Sequence, residues 1–449
     1  MLRVAFHNLG CKVNSYELEV MIRKMAENGY EIVPFEEKAD IYIVNTCTVT
    51  AIADKKSRQM LHQARKRNPE AVVVAAGCYV HTGEKTLMED LQVDLLVGNQ
   101  DKGKIAELIE AYLNDRKKEA PADINLETAY PELYLEKTEE HTRATVKIQD
   151  GCNQFCSYCI IPYARGRIRS REKDDILREA KHLVESGYRE LVVTGIHLSS
   201  YGLDLDGIKG IGDSEDFPFG RLLDVLRSLD ELYREDGTGL QRIRLGSLEP
   251  RIITREFAQA LKQIRGICPH FHLSLQSGCD ETLKRMNRHY DTARFYEGME
   301  ILREAFDLPA ITTDVITGFP GETEEEFAKT VSFLEKANFY EMHVFPYSVR
   351  KGTPAAAMKD QLTMAQKKER SDILLKMTEK QSDEYRRAHI GRELEILFEE
   401  DEMIGGRLMH TGYSREYIRC AFEGDAAPGE IRKITVDLHN SPNYAMMIR

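Results

Sequence analysis

Three cysteines fall within eight residues in the stretch Gly151-Cys152-Asn153-Gln154-Phe155-Cys156-Ser157-Tyr158-Cys159. Three soft thiolates on one short loop can hold three irons of a four-iron four-sulfur cluster, and the missing fourth cysteine leaves one iron open to a small molecule. The competing readings are a zinc site or three unrelated core cysteines. Structural zinc takes four protein ligands, and the nearest histidines, His141 and His197, stand at no standard finger spacing. The spacing therefore favours iron and sulfur.

A second set of thiols is spread over the first third of the chain. Leu9-Gly10-Cys11, Asn45-Thr46-Cys47 and Gly77-Cys78 each directly follow an apolar, strand-like run: Leu2 to His7, Ile41 to Asn45 and Val72 to Ala76, with a further run at Val93 to Val97. Helix-like stretches such as Ser15 to Asn28 separate these runs, and alternating strand and helix predicts a parallel sheet. In such a sheet ligands bind beyond the carboxyl ends of the strands. One cysteine there is commonly a small buried turn residue. Three in equivalent places favour a second three-thiolate metal site.

The elements that must position the first loop come later. Strand runs at Ala144 to Gln149, Leu191 to Thr194, Arg242 to Leu245, His270 to Leu275, Ile311 to Thr317 and Met342 to Phe345 alternate with helical segments at Asp174 to Ser186, Arg221 to Tyr233, Arg255 to Ile264, Thr292 to Ala305 and Glu324 to Lys336. Six successive units predict an open, partial (βα)6 TIM-like barrel with its site at the strand carboxyl ends. The cysteine loop follows the first of these strands at once. The other ends are polar or glycine-rich: Thr194-Gly195-Ile196-His197, Ser247-Leu248-Glu249, Gln276-Ser277-Gly278 and Thr317-Gly318-Phe319-Pro320-Gly321. Glycine lets a ligand approach backbone amides, and the polar side chains suit ribose hydroxyls or an amino acid's charged groups.

Several motifs are excluded. No Gly-Lys-Ser/Thr follows Gly318, so this is no phosphate-binding loop; Thr323 and Glu326 fit a helix capping box instead. Asp204-Leu205-Asp206-Gly207 lacks the later ligands of a calcium loop.

The 449 residues carry a net charge of -12, which argues against indiscriminate nucleic-acid binding. Local patches remain. Lys55, Arg58, His62, Arg65 and Lys66 share one arc of a helix from about Asp54 to Arg67, suited to a phosphate backbone or simply to solvent. Arg165, Arg167, Arg169 and Arg171, with Lys284, Arg285, Arg288, Arg350 and Lys351, gather near the barrel mouth and suit either a polyanionic substrate or internal carboxylates.

Nine cysteines without a secretory leader point to metal or redox chemistry rather than disulfides. With no long apolar run, a cytoplasmic protein without a membrane partner is expected. Residues 119–138 lose periodicity and predict an extended, surface-bound linker. After a charged helix at Gln366 to Arg387, strands at Leu394 to Phe398, Tyr417 to Ala421 and Ile431 to Leu438 predict a small barrel. Such barrels often bind RNA, but Glu399-Glu400-Asp401-Glu402 makes this one acid-rich.

Cys152-x3-Cys156-x2-Cys159, with Tyr158 before the last cysteine, resembles the radical S-adenosylmethionine (radical SAM) loop. Together with Asn8-Leu9-Gly10-Cys11-Lys12-Val13-Asn14, Asn45-Thr46-Cys47-Thr48-Val49, Gly77-Cys78 and Gly318-Phe319-Pro320-Gly321-Glu322-Thr323, it resembles the radical-SAM methylthiotransferase family nearly end to end. Tyr163-Ala164-Arg165-Gly166 and Arg242-Ile243-Arg244-Leu245-Gly246-Ser247-Leu248-Glu249-Pro250 look most like its MtaB branch, which modifies threonylcarbamoyladenosine at position 37 of tRNA.

The resemblance implies a flavodoxin-like α/β domain over residues 1–118, a radical-SAM core over 139–370, and a linker helix with a C-terminal all-β TRAM barrel over 371–449. It implies two [4Fe-4S] clusters, one on Cys152, Cys156 and Cys159 with SAM on its open iron, and one on Cys11, Cys47 and Cys78 that passes on sulfur. SAM would serve as radical source and as methyl donor, with Thr194, Gly195, Glu249, Gln276 and Gly318 as candidate SAM contacts. The implied partners are the anticodon stem-loop of tRNA, an electron donor such as flavodoxin or ferredoxin, and a sulfur donor. Isopentenyladenosine in tRNA or an aspartate of a ribosomal protein are the alternative substrates of this chemistry. A metal-stabilised RNA-binding protein without turnover is the alternative outside enzymes. Cys268, Cys279 and Cys420 match no ligand position and read as structural.

Overall fold

A computed structural model describes the chain except residues 132, 136–141, 213–215, 235, 439–445 and 449. His141 and part of the predicted linker lie outside the described residues.

The first sheet is fully parallel, with strands β1 (Arg3–Asn8), β2 (Glu31–Val33), β3 (Ile41–Thr46), β4 (Val72–Gly77) and β5 (Leu95–Val97) in the order β2-β1-β3-β4-β5. This is the flavodoxin-like order, with its switch point between β1 and β3. Every residue of β3 and β4 is buried, which is why these strands read as unbroken apolar runs rather than alternating ones. The short edge strand β2, three residues with two exposed, is the one that periodicity does not reveal. The first helix spans Lys12–Glu27, beginning directly after Cys11 rather than at Ser15.

The second unit has strands β6 (Arg143–Asp150), β7 (Arg169–Ser170), β8 (Glu190–Gly195), β9 (Arg242–Leu245), β10 (His270–His272), β11 (Ala310–Thr317) and β12 (Glu341–Pro346). Apart from the short antiparallel β7, they form two parallel sheets, β6-β8-β9 and β10-β11-β12, joined by the parallel bridges Ile243 to Ile267 and Leu248 to Leu273. The predicted six-strand partial barrel is therefore present. Its alternation separates two faces. Val146, Ile148, Leu191, Val193, Ile243, Leu273, Ile311 and Val315 join the apolar core under the helices. The alternate positions, including Lys147, Glu190, Arg242, Arg244, His272 and Asp314, carry polar side chains to the other face. The helix Glu324–Ala337 starts with the capping box of Thr323 and Glu326.

A helix, Met364–Arg387, leads to a closed barrel of β13 (Glu393–Ile404), β14 (Arg407–Ser414), β15 (Arg419–Phe422), β16 (Ile431–Leu438) and β17 (Met446–Ile448). Strand β13 runs straight through the acidic stretch, where Arg419 pairs with Glu400 and Glu402. The charges sit on the barrel's exterior and mask a strand. This barrel docks on the larger one: Arg242 donates to the backbone oxygens of Glu395 at 2.6 Å and Tyr413 at 2.9 Å, and the rings of His270 and Tyr417 stack at 4.1 Å. The linker is not wholly on the surface. Ile124, Leu133 and Leu135 are buried, the last two against Tyr16 and Val20 of the first helix.

Candidate active site

Cys11, Cys47 and Cys78 leave the carboxyl ends of β1, β3 and β4, three adjacent strands whose last residues are in register, Asn8 opposite Asn45 and Thr46 opposite Gly77. The expected common sheet edge is thus observed. Gly10 and Gly77 both take positive φ there. At Gly10, φ is +119°, and a β-carbon would lie 2.8 Å from Asn14 Nδ2 and 3.2 Å from that of Cys47, so conformation and space both favour glycine. Burial and the neighbouring Cys78 and Cys11 push the Cys47 thiol up.

The second loop follows β6 directly. Gly151 has φ +70°, and a β-carbon on it would fall 1.8 Å from the backbone oxygen of Arg167. The loop is closed by Cys152 N–H on Gly166 O and Cys159 N–H on Cys156 O, at 3.1 and 2.9 Å. Arg288 donates to Cys156 Sγ at 3.2 Å and to Ser274 O at 3.1 Å. Burial, followed by the adjacent Cys156, pushes the Cys152 thiol up to about 12, and Cys159 is pushed up likewise. Three thiolates can coexist in so dry a place only around a cationic centre.

The spacing of the sulfurs tests which centre fits. Among the described residues neither cysteine trio brings its three sulfurs within 4.8 Å of one another. A tetrahedral zinc with bonds of about 2.3 Å would hold them about 3.8 Å apart. Neither trio is drawn in around a single ion, and the Arg288 hydrogen bond to Cys156 is of the kind that tunes iron-sulfur clusters.

One framework ties the trios together. Arg165, six residues after Cys159, donates to Asn14 Oδ1 at 2.7 Å, while Asn14, three residues after Cys11, donates to Leu9 O and Thr46 O at 2.6 and 3.1 Å. Asn99 donates to Ala164 O at 2.9 Å and to Cys78 Sγ at 3.6 Å. Arg165 also meets Glu17 and Asp150, and Lys147 and Lys102 complete this fully buried cluster. Burial pushes the Glu17 carboxyl up, but Arg165, Lys102 and Lys147 more than reverse this and hold it well below the usual carboxylate range.

Of the two readings of the arginine-rich stretch, this arrangement favours internal carboxylates. Arg165, Arg169 and Arg171 are buried against Asp150, Glu17 and Glu179 and do not face a polyanion. Arg350 bonds Asp54 and Thr48 across the two units, and Arg285 bonds Glu326. Arg167, Lys284 and Lys351 remain exposed. The helical stripe divides in the same way: Arg58 reaches Tyr79, His62 Asp90 and Arg65 Asp94, whereas Lys55 and Lys66 are exposed.

The other sequence candidates occupy the strand ends of the barrel. Thr194 and Gly195 end β8, Glu249 follows β9, Gln276 bridges to Val315 beyond β10, and Gly318 follows β11. Glu249 accepts from Arg251 on one oxygen at 2.9 Å, and its other oxygen is buried without a partner among the described residues. His197 Nε2 is likewise buried and unpaired among the described residues, and burial followed by Arg288 and Arg251 lowers this imidazole to about 3. Such orphaned atoms suit a polar ligand. Gly318 has a packing reason of its own, since a β-carbon there would lie 2.5 Å from Lys367 Cγ. Sequence reasoning missed Asn99 and the hydrogen bond from Arg288 to Cys156 Sγ; no local spacing marks either.

Comparison with known proteins follows the same division. Residues 3–98 match Uncharacterized protein family UPF0004, and residues 146–334 match the Radical SAM superfamily. A solved radical S-adenosylmethionine methyltransferase, TsrM from Kitasatospora setae, is similar in fold with a TM-score of 0.58 and 17% identity, over 79% of this chain and 77% of that one. The fold and the cysteine loop thus define a radical-SAM protein. The threonylcarbamoyladenosine tRNA methylthiotransferase MtaB of Bacillus subtilis (strain 168) is 40% identical over 97% of this chain and 94% of its own. That of Aquifex aeolicus (strain VF5) is 37% identical over 97% and 100%. A tRNA-2-methylthio-N(6)-dimethylallyladenosine synthase of Methylacidiphilum infernorum (isolate V4) is 35% identical over 89% and 84%. The chain belongs to the radical-SAM tRNA methylthiotransferase family.

Proposed function

We propose that the protein adds a methylthio group to carbon 2 of N6-threonylcarbamoyladenosine at position 37 of tRNA. The observation that carries this reading is the shared framework of the two cysteine trios, in a chain 40% identical over 97% of its length to a threonylcarbamoyladenosine tRNA methylthiotransferase. Residues 1–118, 139–370 and 371–449 are its working divisions.

Cys152, Cys156 and Cys159 would hold one [4Fe-4S] cluster and Cys11, Cys47 and Cys78 the other; when bound, the first with SAM supplies reductive sulfonium cleavage and the second supplies the route for sulfur. The chain's own part is positioning and exclusion of water. Gly151 lets the first loop turn tightly against Arg167, and Arg288 places a positive charge on Cys156. Thr194, Gly195, Glu249, Gln276 and Gly318 surround the mouth in which SAM would lie, with the free oxygen of Glu249 available to an amino or hydroxyl group. Similarity to tRNA methylthiotransferases over nearly the whole chain disfavours a zinc-stabilised binding protein.

tRNA is the substrate in this reading, its phosphates meeting exposed Arg167, Lys284 and Lys351 rather than the buried arginines. An external electron donor and a sulfur donor complete the turnover. No helix among the described residues is long and apolar enough to cross a membrane, and the cytoplasm is the proposed compartment. Mass spectrometry of tRNA nucleosides from a deletion strain tests the substrate. Loss of the 2-methylthio form of threonylcarbamoyladenosine is expected; loss of methylthio-isopentenyladenosine instead would overturn it.

A further inference from the structure

The inner face of the large barrel pairs its charges closely. Glu190 is held there by Arg242 and Arg244, and Lys147 by Glu17 and Asp150. Asp314 departs from this pattern. Its charged partners among the described residues are two imidazoles, His343 Nδ1 at 3.2 Å on one oxygen and His272 Nε2 at 3.4 Å on the other, with no arginine or lysine.

Strand register brings the three together. β11 and β12 set Asp314 opposite His343, while β10 and β11 set His272 opposite Thr312, two residues from Asp314 and on the same face. The two imidazole rings lie 5.8 Å apart. Among the described residues this is the one set of three His, Cys, Asp or Glu side chains whose ligand atoms all lie within 4.8 Å of one another. An ion with bonds of about 2.1 Å to nitrogen and oxygen holds tetrahedral ligands about 3.4 Å apart. Both contacts to Asp314 already have that spacing.

His272 is also oriented as a ligand. Its Nδ1 lies 3.0 Å from Thr312 Oγ1, and the same hydroxyl lies 3.3 Å from His270 Nε2. A hydroxyl that accepts from His272 Nδ1–H and donates to His270 satisfies both contacts and turns the lone pair of His272 Nε2 towards the carboxylate. Two acceptors then face each other, and a cation between them resolves the conflict. The set is closed on one side and open on the other, the His272 side chain being 13% exposed and that of His343 55%. Three protein ligands with an open side leave a coordination position free.

We propose that His272, Asp314 and His343 bind a divalent first-row transition-metal ion inside the barrel, apart from both cysteine trios, with a position open to water or to an oxygen of a ligand in the barrel. Two imidazoles and one carboxylate suit zinc or iron(II) rather than magnesium or calcium, which take oxygen ligands. Thr312 is the positioning residue. The site is independent of the substrate assigned under the proposed function, so its failure leaves that reading intact.

The test uses anaerobically reconstituted full-length protein, treated with a chelator to remove loose iron, incubated with zinc chloride and passed through a gel-filtration column. It should retain about one zinc per chain beside about eight irons. His272→Gln and His343→Gln should each lose the zinc and keep the iron. Thr312→Val should weaken zinc binding by about 10- to 100-fold, again with the iron unmoved. X-ray absorption at the zinc edge of the wild type should show nitrogen and oxygen neighbours at about 2.0 to 2.1 Å, with imidazole scattering behind them. Absence of retained zinc overturns the site and leaves a hydrogen-bonded triad in its place. Zinc kept by both histidine variants overturns it as well, and so do sulfur neighbours at about 2.3 Å, which would put the ion on the cysteines. The absorption measurement needs no variant, so it decides the matter even where a substitution impairs folding.

Discussion

Arg165 donates a hydrogen bond of 2.7 Å to Asn14, joining the segment behind Cys159 to the segment behind Cys11. Arg165 also bonds Asp150 on its own side and Glu17 on the first helix, while Asn14 bonds the backbone oxygens of Leu9 and Thr46 that precede Cys11 and Cys47. The two cysteine trios are thus tied together by the side chains of Arg165, Asn14 and Asn99.

Removing the arginine should therefore do two things. Arg165→Met leaves Glu17 and Asp150 buried with fewer cations, at a cost of about 3 kcal/mol. It also frees Asn14, so iron should be lost first from the second trio. Denaturant unfolding and iron analysis check this; unchanged stability with about eight irons per chain would contradict it.

Acid should loosen the barrel through Glu190. Burial pushes this carboxyl up from its ordinary 4.5, but Arg244 and Arg242 outweigh burial and bring it down to about 2. A group lowered on folding stabilises fully above its unfolded pKa and loses that contribution as pH falls through the folded one. The loss should span the range from about pH 4.5 to about pH 2 and amount to about 3 kcal/mol. Stability measured against pH for the wild type and Glu190→Gln checks it, with a flatter acid limb expected in the variant.

Arg288→Gln removes a positive donor from Cys156 Sγ. A cluster sulfur that loses such a hydrogen bond becomes harder to reduce. The reduction potential of the reconstituted first cluster should move to more negative values, and SAM cleavage with a mild reductant should slow. An unchanged potential would show that the 3.2 Å contact carries no electronic weight.

Much of this was legible in the sequence where period and spacing act locally. The strand runs before Cys47 and Cys78 are apolar because β3 and β4 are buried on both faces, and six strand-helix units follow from alternation alone. Two kinds of feature were hidden. Strand β13 reads as ending at Phe398 because the positions that follow are acidic, with Glu400 and Glu402 paired to Arg419 and Asp401 to His410. The arginines of Arg165 to Arg171 look like a phosphate site in sequence, since nothing near them announces that Glu17 and Glu179 will be folded onto them. Charge partners 148 residues apart, such as Glu17 and Arg165, leave no local period.

The central claim is that two cysteine trios divide the chemistry, one making the radical and one delivering sulfur. Cys47→Ala tests it most directly, with 5′-deoxyadenosine and methylthiolated nucleoside measured together on a threonylcarbamoyladenosine stem-loop under reducing, oxygen-free conditions. The variant should still cleave SAM, which Cys156→Ala should not, and should form no methylthio product. Methylthio product from Cys47→Ala would contradict the division.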